Sequence, residues 1–226
     1  MHFGPLWIDL SPRLIIDSLE LDIDSPITHF WGKNGAGKTT LLNLITQECI
    51  KNQISFAYIS QNYRANWLWW ASVGRNFELA LLNQKNEPKP KSFLEIPMIS
   101  RQLSWLQPLL ENGLKINFST KNELEASGLS GGQLQRVILL RELLRKPKLL
   151  MLDEAFSALD KKVQETIIEW LLGEQEKEKF QIISIAHDRE ILKNMPGKIL
   201  YLSNDNNSKM QIQTISNLES LDNENQ

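Results

Sequence analysis

The chain has 226 residues, of which 42% are hydrophobic and 23% charged, and this globular composition excludes collagen-like and wholly disordered proteins. The net charge of −2 argues against binding nucleic acid through bulk positive charge. Cys49 is the single cysteine, no apolar run approaches the length of a membrane-spanning helix, and the start lacks a signal-peptide pattern, so we expect a cytosolic protein.

Short strands are predicted in the N-terminal part of the chain. Apolar runs separated by turn residues predict strands at 6–10, 14–16, 19–23 and 27–31. The last run, ITHFW, leads directly into a glycine-rich turn and an apolar helical stretch. A further strand is expected at 54–60.

The rest of the chain is predicted to contain a helical insertion followed by alternating helices and strands. Fully apolar runs such as KLLMLD and FQIISIA are typical of strands buried in a parallel sheet. The pattern predicts an α/β core with a helical insertion and an antiparallel fringe at the N-terminus. The predicted segments are a helical region at 66–127, helices at 131–147 and 160–172, strands at 148–153 and 180–186, and a disordered tail at 216–226.

A phosphate-binding loop (P-loop) is predicted at residues 32–39, GKNGAGKT, which fit G-x-x-x-x-G-K-[ST]. Glycines let successive N–H groups turn toward an anion at a helix N-terminus, whose dipole favours negative charge. Lys38 is expected to reach the β- and γ-phosphates, and Thr39 to ligate Mg²⁺. The alternative, an ordinary glycine loop capping a helix, is less favoured because a strand precedes the loop and a helix follows it. The expected nucleotide-binding residues are Gly32, Lys33, Asn34, Gly35, Ala36, Gly37, Lys38, Thr39 and Thr40.

Two carboxylates, Asp153 and Glu154, end a second apolar strand. Ligands of open α/β sheets sit at the carboxyl ends of the strands. Asp153 is therefore expected to hold the hydrated Mg²⁺, and Glu154 to polarise an attacking water. Strands that end in Asp-Glu are common, so this pair alone leaves a purely structural role open.

A third segment, Leu129-Ser130-Gly131-Gly132-Gln133, opens the helix before these carboxylates. With this signature segment, the chain resembles the nucleotide-binding domain of ATP-binding cassette (ABC) proteins over roughly residues 6–202. The resemblance implies an α/β P-loop NTPase fold with a mostly parallel core sheet, an N-terminal antiparallel β fringe and an inserted α-helical subdomain. It implies a single ABC ATPase domain over 1–226, with the ATP-binding core at 1–65 and 128–215, the helical subdomain at 66–127 and the tail at 216–226.

The resemblance also implies roles for individual residues. Gln61 corresponds to the glutamine that touches Mg²⁺ and senses the γ-phosphate, and His187 to the switch histidine at the γ-phosphate. The signature corresponds to the segment that closes on ATP held by the opposite protomer, and Ser157 and Asp160 belong to the loop between the two sites. The implied catalytic residues are Glu154, His187, Gln61 and Lys38; the magnesium ligands are Thr39, Gln61 and Asp153; and the residues that bind nucleotide across the dimer are Ser130, Gly131, Gly132 and Gln133.

The partners implied by the resemblance are a transmembrane permease and a second copy of the chain or a paralogous ABC subunit. Two copies arranged head to tail would each complete the other's ATP site. The implied function is an ATPase with Mg²⁺ as cofactor that powers solute transport through the permease at the inner face of the cell membrane, with no nucleic acid partner. Two alternatives are a soluble ABC ATPase that acts on nucleic acid or ribosomes, and a P-loop small-molecule kinase.

Three tryptophans, Trp67, Trp69 and Trp70, follow the glutamine segment. In transporter subunits this region receives a helix of the permease, and the spacing of Trp70, Val73 and Asn76 resembles importers of nitrate, sulfonates and taurine. The tryptophans either form an exposed aromatic patch for a partner or pack inside the helical subdomain. Both alternatives stay open.

The aromatic residue that ABC proteins usually place against the adenine is missing from its expected position. Aligning the strand at 19–23 puts Leu10 there, with Trp7 and Phe3 nearby. The adenine contact therefore stays open among these three residues. No catalytic group is lost, so we expect an active ATPase.

Overall fold

A computed structural model describes residues 1–68, 73–81, 131–157 and 159–215 of the chain. The chain divides into two compact units. The helix that follows the signature segment, expected in the ATP-binding core, belongs to the second unit. The first unit comprises Met1–Gln61, Lys148–Ser157 and Ile168–Gln226, and the second comprises Asn62–Pro147 and Ala158–Ile167.

The N-terminal residues of the first unit form a two-stranded antiparallel sheet, which confirms the predicted fringe. Strand β1 (His2–Asp9) pairs with β2 (Ile15–Asp22), with two irregularities in the register. The strands predicted at 14–16 and 19–23 are therefore wrong as separate elements. They form one strand that continues through Ser18, whose φ of 51° is unusual for a strand residue.

The main sheet of the first unit has six strands and is mostly parallel, as predicted. Its strands are β3 (Ile27–Trp31), β4 (Phe56–Ile59), β5 (Leu149–Asp153), β6 (Gln181–Ile185), β7 (Lys198–Asn204) and β8 (Met210–Ile215). The order is β4-β5-β6-β3-β7-β8, and only the β7–β8 pair is antiparallel. Every residue of β3 and β5 is buried, as expected for the apolar strands of a parallel sheet.

The described helices include the two that the sequence predicts after the P-loop and after the signature. The helix expected at 160–172 continues to residue 178, and Lys177 donates to the buried Glu174 at 3.0 Å in the added turns. No helix in the described ranges is long and apolar enough to cross a bilayer. The helices among the described residues are α1 (Lys38–Lys51), α2 (Val73–Leu81), α3 (Gly131–Leu144), α4 (Lys161–Glu178) and α5 (Arg189–Asn194), and a 3-10 helix lies at Tyr63–Asn66.

Helix α1 lies in the apolar core that joins the two sheets of the first unit. Its buried residues Leu41, Leu42 and Ile45 belong to the same core cluster as Phe3 of β1 and Met151 of β5. Burying such side chains contributes about 1.5–3 kcal/mol each. This packing fixes the start of α1, and with it the end of the P-loop, relative to the main sheet.

Candidate functional site

The predicted site residues of the first unit meet at one edge of the main sheet. Gly32 follows β3, Gln61 follows β4, Asp153 ends β5, and His187 follows β6. These four strands are neighbours and run parallel, so their carboxyl ends lie side by side. This is the edge at which open α/β sheets bind their ligands.

The P-loop leaves β3 at Gly32, where φ is 152°. A Cβ at Gly32 would lie well inside 3.0 Å of the Leu202 carbonyl oxygen on β7, closer than real Cβ atoms come. At Gly37, where φ is 90°, a Cβ would meet the side chains of Leu14 and Met210 at 2.7 Å each. Glycine is therefore needed at Gly32 for space, because the obstacle is backbone, and at both ends of the loop for backbone conformation.

Lys38 is the first residue of α1, and its ammonium group is bonded to the loop itself. The amine donates to the carbonyl oxygens of Gly32 at 2.7 Å and of Lys33 at 3.0 Å. Desolvation lowers the pKa of Lys38, while the negative charges of Glu154 and Asp153 act in the opposite direction. A cation and a helix N-terminus thus lie together in the loop, an arrangement suited to binding a phosphate.

The Asp153 carboxylate is buried and accepts hydrogen bonds at both oxygens. The Thr39 hydroxyl donates to Oδ1 at 3.2 Å, and the Tyr58 hydroxyl donates to Oδ2 at 2.8 Å. Hydroxyl and carboxylate oxygens are the ligands that Mg²⁺ prefers. Mg²⁺ usually takes only one or two such ligands from the protein, and substrate phosphates supply others. Thr39 and Asp153 fit that kind of site. In the part of the chain that the structure describes, no group of three or more His, Cys, Asp or Glu side chains could hold a metal ion.

Each oxygen of the Glu154 carboxylate also accepts a hydrogen bond. Gln61 Nε2 donates to Oε2 at 2.9 Å, and His187 Nε2 donates to Oε1 at 2.8 Å. The backbone of Glu154 has a φ of 51°, and its carbonyl oxygen accepts from the amide and the hydroxyl of Ser157 at 3.1 and 2.9 Å. Three predicted catalytic residues are thus in direct contact, because Gln61 and His187 both donate to Glu154.

The other predicted residues lie in the second unit or have local contacts. In the second unit, α3 begins at Gly131, as expected for the signature helix, while Ser130 lies outside the described residues. Ser157 is exposed, and its hydroxyl donates to the Glu154 carbonyl oxygen in the same turn. In the second unit the Asp160 carboxylate accepts from the Val163 amide at 3.0 Å and so caps the start of α4.

The three candidates for adenine stacking differ in exposure. Phe3 is only 2% exposed and belongs to the core, so it is not available to a ligand. Trp7 is 65% exposed and Leu10 46% exposed. Trp7 and Leu10 therefore remain as the candidates for the adenine contact.

In the second unit, Asn76 joins the segment after the glutamine to two helices. Its amide accepts from the Leu68 amide at 3.1 Å and donates to the Leu68 carbonyl oxygen at 3.1 Å. Arg141 Nη1 of α3 donates to the same Asn76 oxygen at 3.0 Å, and Arg141 also pairs with Glu142. The sequence pattern indicates an importer-like spacing at Asn76, whereas the structure shows a buried hydrogen-bonding centre.

Trp67 packs inside the second unit. It is 3% exposed, and the Arg141 guanidinium lies 5.6 Å from its ring centroid, within the range of a cation–π interaction. For this tryptophan the packing alternative is correct. Trp69 and Trp70 lie outside the described residues.

Comparisons with known proteins find similar sequences and a similar fold. A family model described as ABC transporter matches residues 17–157. The sulfate/thiosulfate import ATP-binding protein CysA 1 of Shewanella oneidensis is 27% identical over 210 residues, covering 84% of this chain and 52% of that protein. The ATP-binding protein Uup of Escherichia coli is 27% identical over 221 residues, covering 87% of this chain and 34% of that protein. The chain therefore spans about half the length of the first relative and about a third of the second.

A solved structure shares the fold. The dimeric post-hydrolysis state of the ATP-binding cassette MJ0796, bound to ADP and Pi, matches with a TM-score of 0.63 at 20% identity, covering 94% of this chain and 97% of that chain. This likeness confirms the predicted α/β P-loop fold. The family match spans more than half of the chain and includes the P-loop, Asp153 and Glu154. The chain belongs to the ABC transporter family and contains the ATP-binding domain of that family.

Proposed function

We propose that this chain binds and hydrolyses ATP and thereby powers solute import through a separate membrane permease. The main support is the Glu154 carboxylate, held by Gln61 and His187 at the sheet edge that also carries the P-loop. Relatives such as the Shewanella protein are named import ATP-binding proteins, which supports the transport part of the proposal. The narrower expectation of a nitrate, sulfonate or taurine importer stays a prediction.

ATP binding is assigned to the P-loop, residues 32–39, and to Thr40. Its backbone N–H groups would hold the phosphates, and the Lys38 ammonium would exchange carbonyl oxygens of the loop for phosphate oxygens. The change requires no new charge in the site, because Lys38 is already held there. An adenine contact by Trp7 or Leu10 remains part of the proposal.

Magnesium is assigned to the oxygens of Thr39 and Asp153, with Gln61 as a third ligand. Bound there with ATP, Mg²⁺ would supply positive charge that offsets the negative charge developing during phosphoryl transfer. Thr39 already donates to Asp153 at 3.2 Å, so the hydroxyl and the carboxylate lie close enough to serve one small ion. Gln61 would have to leave Glu154 to take part.

Glu154 is assigned the role of general base. In hydrolysis, water attacks the γ-phosphorus, its proton passes to the carboxylate, and ADP leaves with the bond to the γ-phosphoryl group broken. Each carboxylate oxygen has two lone pairs, so Glu154 can accept a proton from water while Gln61 and His187 hold its two oxygens.

The proposed assembly is a dimer attached to a permease on the inner face of the cell membrane. Ser130, Gly131, Gly132 and Gln133 of each copy, or of a paralogous subunit, would close on ATP held by the other, and Ser157 and Asp160 would lie in the loop between the two sites. The helical subdomain at 66–127 would receive the permease. One domain, 1–226, would thus combine an ATP-binding core with a permease-binding part.

The test is the variant Glu154→Gln. It keeps the shape of the side chain but removes the base, so ATP turnover should fall roughly 10²- to 10⁴-fold while ATP binding persists. A dimer should then accumulate with Mg-ATP, because the protomers are no longer separated by hydrolysis. Glu169→Gln makes the same chemical change at an exposed position of α4 and should leave turnover unchanged.

Three results would count against the proposal. Unchanged turnover in Glu154→Gln would remove the assigned base. A phosphorylated small molecule in place of free phosphate would indicate a kinase. Co-purification with ribosomes or nucleic acid, in place of a polytopic membrane protein, would favour a soluble ABC ATPase.

A further inference from the structure

Tyr58, on the strand next to the one that ends in Asp153, has no role in the site assigned above. Strands β4 and β5 are parallel neighbours, and Tyr58 pairs with Met151 in the register. Side chains alternate along a strand, so Met151 and Asp153 share one face of β5, and Tyr58 lies on the same face of β4. From there its hydroxyl reaches past its register partner to the residue two positions further along β5, and donates to Asp153 Oδ2 at 2.8 Å.

The direction of this hydrogen bond follows from the chemistry of the two groups. An ionised carboxylate only accepts, so the phenol donates. Desolvation, together with the neighbouring Asp153, raises the pKa of Tyr58, which keeps the proton on the phenol.

The two donors on Asp153 come from opposite sides of the carboxylate. Thr39 donates to Oδ1 from the start of α1, and Tyr58 donates to Oδ2 from β4. A carboxylate bonded at only one oxygen can rotate about its Cβ–Cγ bond, whereas one bonded at both oxygens is fixed. Of these two donors, removing Tyr58 would leave Thr39 to orient Asp153, and Thr39 is itself assigned to the ion.

We propose that Tyr58 is a positioning residue of the magnesium–nucleotide site, which holds the Asp153 carboxylate so that Oδ1 faces Thr39 and the P-loop. The inference rests on the proposed function, because the orientation matters only if Asp153 serves an ion bound with a nucleotide. Hydrogen bonds that orient a metal ligand from behind usually change metal affinity 10- to 100-fold when they are lost. The tyrosine contributes a single neutral donor, so its loss belongs at the lower end of that range.

The experiment is a metal titration of Tyr58→Phe, which removes one oxygen and keeps the ring. Mn²⁺ replaces Mg²⁺ as an EPR-visible probe, and ADP replaces ATP so that no turnover is needed. We expect the half-saturating Mn²⁺ concentration in the presence of ADP to rise about tenfold. The affinity for ADP in EDTA should stay within about twofold of the unmodified protein, because the P-loop is untouched.

The matched control is Thr46→Val. Thr46 lies on the same face of α1 as Thr39. Its hydroxyl donates to the Leu42 carbonyl oxygen at 2.9 Å and lies 3.8 Å from Met151 Sδ. The variant removes a hydroxyl from the neighbourhood without touching Asp153. Its Mn²⁺ titration should match that of the unmodified protein.

The outcomes separate this inference from the proposed function. If the unmodified protein binds neither ADP nor Mn²⁺ with ADP, the proposed function is wrong. If it binds both, and Tyr58→Phe binds Mn²⁺ equally well, Tyr58 does not position Asp153. An equal loss of ADP affinity in EDTA and with metal would also overturn the inference, because it would mean that the tyrosine supports the fold of the site as a whole.

Discussion

Replacing Asn76 with alanine should destabilise the protein by about 3 kcal/mol. Asn76 is buried, and its amide serves three groups: the Leu68 amide at 3.1 Å, the Leu68 carbonyl oxygen at 3.1 Å and Arg141 Nη1 at 3.0 Å. A buried donor or acceptor that loses its partner costs about 1–3 kcal/mol. Leu68 is half-buried and Arg141 keeps its pair with Glu142, so about 1 kcal/mol applies to each of the three groups.

Thermal unfolding measures this loss. In a chain of this size, a loss of about 3 kcal/mol lowers Tm by roughly 6–12 °C. Asn52→Ala is the matched control, because Asn52 also donates to a backbone oxygen, that of Glu48 at 3.0 Å, but is exposed at the end of α1. Its Tm should fall by less than about 2 °C. A similar small shift in both variants would refute the reasoning, since it would mean that the buried amide stabilises no more than an exposed one.

The remaining predictions concern the P-loop glycines and a buried histidine. Gly32→Ala should cost about 3 kcal/mol and Gly35→Ala about 1 kcal/mol, because φ is positive at both but only Gly32 has a backbone oxygen, that of Leu202, in the way. Equal Tm shifts in thermal unfolding would contradict this. His29 is buried, its Nε2 donates to the Met195 carbonyl oxygen at 2.7 Å, and desolvation lowers its pKa below the usual 6.5. The neutral histidine therefore contributes stability above that pH, which is lost as the pH falls, with a slope of up to about 1.4 kcal/mol per pH unit. His29→Gln should reduce the slope of the free energy of unfolding against pH between about pH 7 and 5. An unchanged slope would exclude His29 as the source of this pH dependence.

The fold was predictable where the sequence has continuous apolar strands. The strand–loop–helix of the P-loop and the strand ending in Asp153 follow directly from such runs and from the glycines between elements. Strand β8 was not predicted, because MQIQTI alternates apolar and polar residues at the edge of the sheet and only Met210 is buried. An edge strand of this kind has too little apolar character to stand out in a sequence.

The site was predictable as a set of residues but not as a set of contacts. The positions of Lys38, Asp153 and Glu154 follow from local pattern, because each lies next to a loop or strand that defines it. The hydrogen bond from Tyr58 depends on the register between β4 and β5, which joins residues far apart in the chain. No local pattern contains that register. The contact of Gln61 with Glu154 was missed for the same reason.

The bonds of Lys38 within its own loop affect how ATP would bind. Before a phosphate arrives, the carbonyl oxygens of Gly32 and Lys33 accept from the ammonium group, which would turn to the phosphate on binding. The amine therefore acts as a template that keeps the loop in shape before any ligand arrives. Little conformational entropy is then lost on binding, and association should be limited by encounter with the nucleotide, not by folding of the loop.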